Sequence, residues 1–175
     1  MSRFALIAFF CVAASPAFAA DVPHFGAPAD PARVKAWDIS IAPDGAGLPP
    51  GKGSVAEGAQ VYAAKCQSCH GPNGEGKPAD RLTGGIGSLT SAQPVKTVAS
   101  YWPYATTLFD YIRRAMPVTA PRSLTDAETY SLVAYILSVD GIVKKNAVLD
   151  AKSLPKIKMP NRDGFIDMFN KTAPR

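Results

Sequence analysis

The sequence predicts an all-α fold. Two segments show the capping signals and periodicity of amphipathic helices, and the chain lacks the strand–helix alternation of a parallel sheet. Cys66-Gln67-Ser68-Cys69-His70 follows the first of them. Two thiols three positions apart, followed directly by an imidazole, are the attachment signature of a c-type haem. The sulfurs can add to the two vinyl groups of the porphyrin, and the histidine then ligates the iron.

The N-terminus has the pattern of a secretory signal peptide over residues 1–19. Arg3 precedes an apolar stretch over residues 4–14, and Ala17-Phe18-Ala19 supplies the small residues typical of a cleavage site. The apolar stretch is too short to anchor the chain in a bilayer, and no later stretch is long enough to cross one. We therefore expect cleavage near Ala19 or Ala20 and release into a bacterial periplasm.

Cleavage would leave about 155 residues, enough for one domain of ordinary size. Cys11 leaves with the signal peptide, so the mature chain keeps only the two cysteines of the motif. Loss of Arg3 lowers the formal net charge from +5 to +4. The basic residues are scattered and not interleaved with aromatics, which argues against nucleic-acid binding. Their expected role is solubility and some steering toward an acidic partner.

Residues 20–53 are rich in Pro, Gly and Ala and are predicted to form an extended arm. Trp37, Ile39 and Ile41 alternate with polar residues, a period of two that indicates a strand-like segment with one apolar face. That face either packs on its own domain or docks on a partner. The arm is expected to close in a turn at Leu48-Pro49-Pro50-Gly51.

A helix over residues 54–65 is predicted to deliver the haem motif. Ser54 and Glu57 form a capping box, and Gly58 and Tyr62 share one helical face with Cys66. Glycine destabilises a helix interior relative to alanine. We therefore expect another backbone or a bulky ring to pass close to Gly58. A polar, Gly-rich loop is predicted to follow the motif as far as residue 87.

Two later helices complete the predicted domain over residues 54–141. One begins near Pro103 and ends at Met116-Pro117, because proline suits a first turn and disfavours helical geometry in the residue before it. The last helix is capped by Thr125 and Glu128 and ends before Gly141. Residues 142–175 are predicted to form a basic tail beyond it.

The iron also needs a sixth ligand or leaves a vacancy for a small molecule. The candidates after His70 are Met116, Met159 and Met168. Met116 is preferred, since the following proline lets its side chain swing off the helix end toward the haem. Met159 also precedes a proline and is the reserve candidate. Histidine–methionine ligation suits electron transfer. Without a methionine ligand, the chain would be a candidate haem enzyme or gas sensor.

Two other interpretations of the motif are weaker. A structural zinc site needs four ligands, whereas Cys11 and His24 are the only spare thiol and imidazole. A redox-active dithiol expects a strand before the first cysteine, and the residues before Cys66 are helical in character.

Several side chains near the predicted helix ends have two interpretations. Arg113 and Arg114 suit the negative end of a helix dipole, and either could instead bind a haem propionate or an acidic patch on a redox partner. Tyr101, Trp102 and Tyr104 are either core aromatics or lining of the haem pocket.

The stretch from Ser54 to Gly141 resembles class I cytochrome c. The resemblance rests on the haem motif with Gly71, on Gly58 and Tyr62, on the later Met-Pro and on the aromatic-bearing last helix. It implies the class I cytochrome c fold, one covalent haem c, and a crossing of the first and last helices where Gly58 and Tyr62 meet Tyr135 or its neighbours.

A narrower likeness covers more of the chain. It rests on Trp37-Asp38-Ile39, Gly47-Leu48-Pro49-Pro50-Gly51, the segment from Tyr101 to Pro117, and Met159-Pro160-Asn161-Arg162-Asp163-Gly164. These resemble the SoxD-like cytochrome c subunits of sulfite and sulfur dehydrogenases.

That resemblance implies a haem subunit that takes single electrons from a separate molybdenum-cofactor subunit and passes them to another cytochrome c or an oxidase. The chain itself would be non-catalytic. A free electron shuttle, or a cytochrome subunit of another dehydrogenase such as one for alcohols, is the alternative.

Overall fold

The computed structural model describes residues 25–166 together with residues 168 and 169. The predicted signal peptide and its cleavage site lie outside these residues. No helix in the described part is long and apolar enough to cross a membrane. The chain divides into two compact units, residues 1–38 and residues 39–175.

The described part of the first unit contains one helix, α1 (Pro31–Trp37), none of whose residues is buried. Asp30 caps it by accepting a hydrogen bond of 2.9 Å from the Ala32 N–H. The strand predicted around Trp37 is therefore wrong: Trp37 ends a helix, and residues 38–42 form no strand. Residues 31–37 are helical because they have an N-cap aspartate, a proline in the first turn and good helix formers. Together these favour a helix more strongly than a short period-two pattern favours a strand.

The second unit is built on two crossing helices, α2 (Val55–Lys65) and α6 (Asp126–Val139). Both predicted capping boxes are confirmed. The Glu57 N–H donates to Ser54 Oγ at 3.2 Å, and the Glu128 N–H donates to Thr125 Oγ1 at 3.1 Å. A Cβ at position 58 would collide with the backbone carbonyl of Ser131, so the glycine is required by close approach of the two helices.

Three further helices lie between these two in the sequence. They are α3 (Gln67–His70), α4 (Val98–Tyr101) and α5 (Ala105–Ala115), with a 3-10 turn at Ser88–Thr90. The helix predicted from Pro103 begins two residues later. The preceding α4 was not predicted; it is capped by Thr97, whose side chain accepts from the Ser100 N–H at 3.1 Å.

The predicted tail does not stand apart from the helices. A strand within it, β2 (Val148–Asp150), pairs antiparallel with β1 (Lys52–Ser54), with Gly53 opposite Leu149. Beyond β2, a 3-10 turn at Leu154–Lys156 buries Leu154, and Met159 is also fully buried. The core therefore continues well past residue 141, because apolar residues recur within the basic sequence.

The core is one hydrophobic cluster in the second unit. Phe109, Tyr130, Leu132 and Leu137 form its fully enclosed centre, and half-buried Ile41 packs against it. Ile41, part of the predicted apolar face of the arm, thus packs on its own domain. The described residues are mostly helical with one two-stranded sheet, and the all-α prediction is confirmed.

Candidate haem site

Both motif thiols and the imidazole belong to one tight turn after α2. Cys66 is the residue at which α2 ends and α3 begins, and its carbonyl accepts from the N–H groups of Cys69 at 3.1 Å and His70 at 3.0 Å. Cys66 is half-buried, Cys69 is exposed, and neither is in a disulfide. The structure therefore brings Cys66, Cys69 and His70 together as the sequence predicts.

The imidazole of His70 has a fixed proton position. Its Nδ1 lies 2.8 Å from the backbone carbonyl oxygen of Asp80. A carbonyl can only accept, so Nδ1 carries the hydrogen and the lone pair is left on Nε2. This contact orients the ring and makes Nε2 the metal-binding atom. Sequence reasoning missed it because any residue type could supply that carbonyl.

The loop after the motif folds back onto the same turn. The Gly76 N–H donates to the His70 carbonyl at 2.8 Å, and the Ala79 N–H donates to the Cys69 carbonyl at 2.9 Å. Gly71 adopts φ +80°, a conformation that favours glycine, where α3 ends. The loop that supplies the Asp80 carbonyl is therefore tied to the residues it serves.

Two tyrosines hold the first residues of this loop from the helix crossing. The Tyr62 hydroxyl donates to the Gly71 carbonyl at 2.9 Å, and the Tyr135 hydroxyl donates to the Pro72 carbonyl at 3.3 Å. Their rings lie 4.9 Å apart. The expected meeting of Gly58 and Tyr62 with Tyr135 is thereby confirmed. The crossing of α2 and α6 therefore holds the loop after the haem motif in position, in addition to forming part of the core.

The surroundings of the two thiols distinguish haem attachment from the redox-active dithiol and the zinc site. Burial raises the pKa of the Cys66 thiol to about 11. Redox-active dithiols have lowered thiol pKa values, so this environment does not support that chemistry. Among residues 25–166, 168 and 169, no group of three or more His, Cys, Asp or Glu side chains is placed to hold a metal ion. The zinc interpretation thus gains no support.

Met116 and Met159 occupy different environments. Met116 follows α5 in an extended conformation with φ −117° and ψ 146°, so the helix ends where the Met-Pro pair predicts. Its side chain is half-buried against the edge of the core. Met159 is fully enclosed by the core, with 0 % of its surface exposed. Of the two, only Met116 is partly exposed.

The remaining predicted residues have protein partners. Arg113 pairs with Asp126 at 3.0 Å, and Arg114 pairs with Asp110 at 2.8 Å. The aromatic residues contact other rings or cations: Tyr101 with Phe165, Trp102 with Tyr111, and Tyr104 beneath Arg162. These contacts favour the structural interpretation of all five. The spare His24 and Cys11 lie outside the described residues, and Met168 is exposed.

Taken together, the donor set fits a c-type haem. It provides two free thiols on one turn, an imidazole whose Nδ1–H is bonded and whose Nε2 is available, and a thioether at the end of α5. Soft sulfur and imidazole nitrogen are ligands that iron takes in such sites.

Comparison with known proteins agrees with this chemistry. The family model described as Cytochrome c matches residues 55–140. The crystal structure of the sulfane dehydrogenase SoxCD from Paracoccus pantotrophus contains a chain that is 41% identical, with a TM-score of 0.77. The alignment covers 85% of this chain and 74% of that chain. The search of curated protein sequences found no significant match.

Proposed function

This chain belongs to the cytochrome c family, as a SoxD-like class I cytochrome c with one covalently bound haem c, and we propose that it is the periplasmic electron-transfer subunit of a molybdenum-dependent sulfite or sulfur-compound dehydrogenase. The observation that carries the proposal is the 41% identity to a chain of a sulfane dehydrogenase over most of both chains. The site geometry supports its electron-transfer part.

Cys66 and Cys69 are the proposed attachment residues. Each thiol would add across one vinyl group, with the S–H bond replaced by an S–C bond and the hydrogen going to the other vinyl carbon. The step therefore needs no oxidant, only reduced thiols, and both cysteines are free in the structure. Their position on one turn sets the spacing of the two sulfurs.

His70 and Met116 are the proposed axial ligands, with Met159 in reserve. When bound, the haem supplies one-electron chemistry through the change in valence of its iron. The chain holds the His70 ring in one orientation through the Asp80 carbonyl, and Met116 sits at a helix end that the structure fixes. An imidazole held in one orientation by the fold would leave little to rearrange when an electron arrives.

In this proposal a separate molybdenum-cofactor subunit oxidises the sulfur compound and passes electrons to the haem one at a time. A second cytochrome c or an oxidase then takes them. Residues 1–19 would direct the chain to the periplasm and be removed there. Haem attachment by two thiols suits that compartment, where no cysteine other than these two would remain.

The test is purification of the native protein under mild conditions. The expected result is a complex containing molybdenum and covalent haem, with sulfite or a sulfane sulfur compound reducing the haem. A haem protein that purifies alone, or with a quinone-cofactor alcohol dehydrogenase, would overturn the sulfur assignment. A colourless mature protein, produced beside a working haem-attachment apparatus, would overturn the cytochrome assignment of these residues.

A further inference from the structure

The methionine loop, residues 116–125, joins the end of α5 to the start of α6. Residues 118–123 within it are all exposed. Two hydrogen bonds stabilise turns inside the loop, from the Ala120 N–H to the Pro117 carbonyl at 2.9 Å and from the Ser123 N–H to the Ala120 carbonyl at 3.3 Å. In the described part of the chain, no hydrogen bond joins residues 117–123 to another element. The position of the loop therefore depends on what holds its two ends.

One ion pair joins the two ends of the methionine loop. Arg113, in the last turn of α5, has its Nε 3.0 Å from Oδ1 of Asp126, the first residue of α6. The two side chains are 24% and 36% exposed, so water screens the attraction only in part. Each charge also lies at the helix end whose dipole favours it. The pair therefore holds α5 to α6 where the chain leaves one helix and enters the other.

Close packing does not join the helix ends at this place. A cleft of about 350 Å³ lies beside the ion pair. It is lined by Ile39, Arg113, Arg122, Leu124, Thr125 and Asp126. Leu124 is the one residue of the methionine loop that is buried. Because side chains leave this space unfilled, the base of the loop depends on the ion pair and on Leu124 more than on contact between the helices.

We propose that Arg113 is a positioning residue for the iron ligand, because its ion pair with Asp126 keeps the methionine loop closed and thereby holds the Met116 thioether at the iron. This inference rests on the axial ligation proposed above. Met116 can leave the iron only if the residues that follow it move. A loop whose ends are tied together gains less conformational entropy on opening than a loop with free ends, so the tie favours the closed state.

The neighbouring arginine provides an internal comparison. Arg114 also pairs with an aspartate, at 2.8 Å, but that partner is Asp110, one turn earlier in α5. The Arg114 pair therefore supports a single helix and does not cross the methionine loop. Two adjacent arginines thus make ion pairs of comparable length, and only the pair of Arg113 joins two helices.

The experiment uses the mature, haem-loaded protein in its ferric form, with free imidazole as the probe. Imidazole can bind the iron only after Met116 has left, so its apparent affinity reports the fraction of molecules in which the loop is open. The variants are R113Q, R113K, D126N and the double variant R113Q/D126N. The matched control is R114Q, which removes the same charge one residue away. Circular dichroism confirms that each variant is folded.

We expect R113Q and D126N each to bind imidazole about fivefold more tightly than the parent protein, the effect of losing one partly exposed ion pair. The double variant should resemble the single variants, because each change removes the same interaction. R113K should restore most of the parent behaviour and R114Q should bind as the parent does. The difference between R113Q and the parent should shrink as salt rises.

Three results would overturn the positioning role. Parent-like imidazole affinity in R113Q would do so even if that variant were less stable to denaturant, because the ion pair would then be merely structural. An equal gain in R114Q would mean that loss of positive charge near the haem explains the effect. A gain in the double variant equal to the product of the two single gains would show that the residues act separately.

Met116→Ala separates this inference from the ligand assignment on which it rests. If the red-region sulfur–iron absorption of the parent protein disappears in Met116→Ala, the ligand is established and the imidazole affinities alone decide the role of Arg113. If that absorption survives in Met116→Ala, Met116 is not the ligand, and the positioning role is overturned together with the assignment. Neither result depends on which dehydrogenase supplies the electrons.

Discussion

His70 shows how a single backbone contact determines the chemistry of a side chain. The sequence predicts that the histidine is the proximal ligand, but the nitrogen available to the iron depends on the Asp80 carbonyl 2.8 Å from Nδ1. A hydrogen bond of this kind raises ligand basicity and fixes the ring orientation. The residue type was predictable, and the partner that orients it was not.

At the scale of the residue, Met116→Ala is predicted to remove the sixth iron ligand. The red-region absorption of the sulfur–iron bond should disappear and the reduction potential should fall, because a thioether ligand raises the potential. Absorption spectroscopy and redox titration of the haem-loaded protein check this.

Met159→Leu is the matched control for that experiment. It conserves volume in the core and should cost less than about 1.5 kcal/mol of stability, with the sulfur–iron band unchanged. Loss of the band in Met159→Leu and its survival in Met116→Ala would identify the reserve candidate as the ligand instead.

Gly58→Ala is predicted to destabilise the protein, although alanine is the better helix former by about 1 kcal/mol. The added Cβ would collide with the Ser131 carbonyl, and overpacking of this kind costs about 1–3 kcal/mol or more. Because the obstacle is backbone, it moves only if the helices separate. The expected result is a net loss of about 2 kcal/mol in denaturant unfolding.

An alanine-to-glycine change at exposed Ala64 in the same helix provides the comparison. It should cost about 1 kcal/mol through propensity alone. A Gly58→Ala variant that is more stable than the parent protein would show that α2 and α6 do not approach as closely as the structure has them.

At the scale of elements, α2 and α6 are joined by charge as well as by packing. Lys65, in the last turn of α2, donates to Glu128, in the first turn of α6, at 2.6 Å. The hydrogen bond from Lys65 and the capping contacts with Thr125 lower the pKa of Glu128 from its usual value of 4.5. Each charge also stands at the helix end whose dipole favours it.

The Glu128 carboxylate should therefore stabilise the fold at neutral pH and lose that effect in acid. Its folded pKa lies below its unfolded pKa, so the contribution is complete above pH 4.5 and disappears as pH falls through the folded pKa. Glu128→Gln should lower the free energy of unfolding by about 0.5–1 kcal/mol at pH 7, reduced by the partial exposure of Lys65.

Unfolding of both proteins across pH 3–7 checks this, and the difference between them should shrink below about pH 4. Glu57→Gln is the matched control, because Glu57 occupies the same position in the other capping box without a lysine partner at hydrogen-bond distance. A pH-independent difference for Glu128→Gln would mean that the lost interaction is not electrostatic.

At the scale of the whole molecule, the matched cytochrome segment is not the whole folding unit. Leu149, Leu154 and Met159 are buried in the core, and each such side chain contributes about 1.5–3 kcal/mol. Their sum is comparable with the entire stability of an ordinary domain, about 5–15 kcal/mol. The segment after α6 is therefore structural as well as basic.

A protein ending at residue 141 is predicted to lose cooperative unfolding or most of its thermal stability, even with haem attached. Removal of residues 20–38 should leave the melting temperature nearly unchanged, because no residue of α1 is buried. Thermal unfolding followed by circular dichroism distinguishes the two variants. Equal stability of the protein ending at residue 141 and the full-length mature chain would show that the buried tail residues do not hold the core.

Sequence reasoning succeeded where a local pattern has one physical meaning. Each correctly predicted feature can be recognised from a few neighbouring residues. These features are the haem motif, both capping boxes, the Met-Pro helix end and the glycine at the helix crossing. It failed at Trp37, where a five-residue alternation competed with a capped helix, and at the tail, where buried apolar residues were hidden among lysines.

The amino-acid sequence by itself determined the cofactor chemistry, the order of the three main helices and the membership of a haem-carrying family, because thiol spacing, caps and periodicity act over short distances along the chain. Only the tertiary structure decided which carbonyl orients His70, which methionine stays partly exposed, and that residues 148–150 of the basic tail pair with β1. Each of those depends on contacts between residues that are not neighbours in the sequence, and no local pattern predicts such contacts.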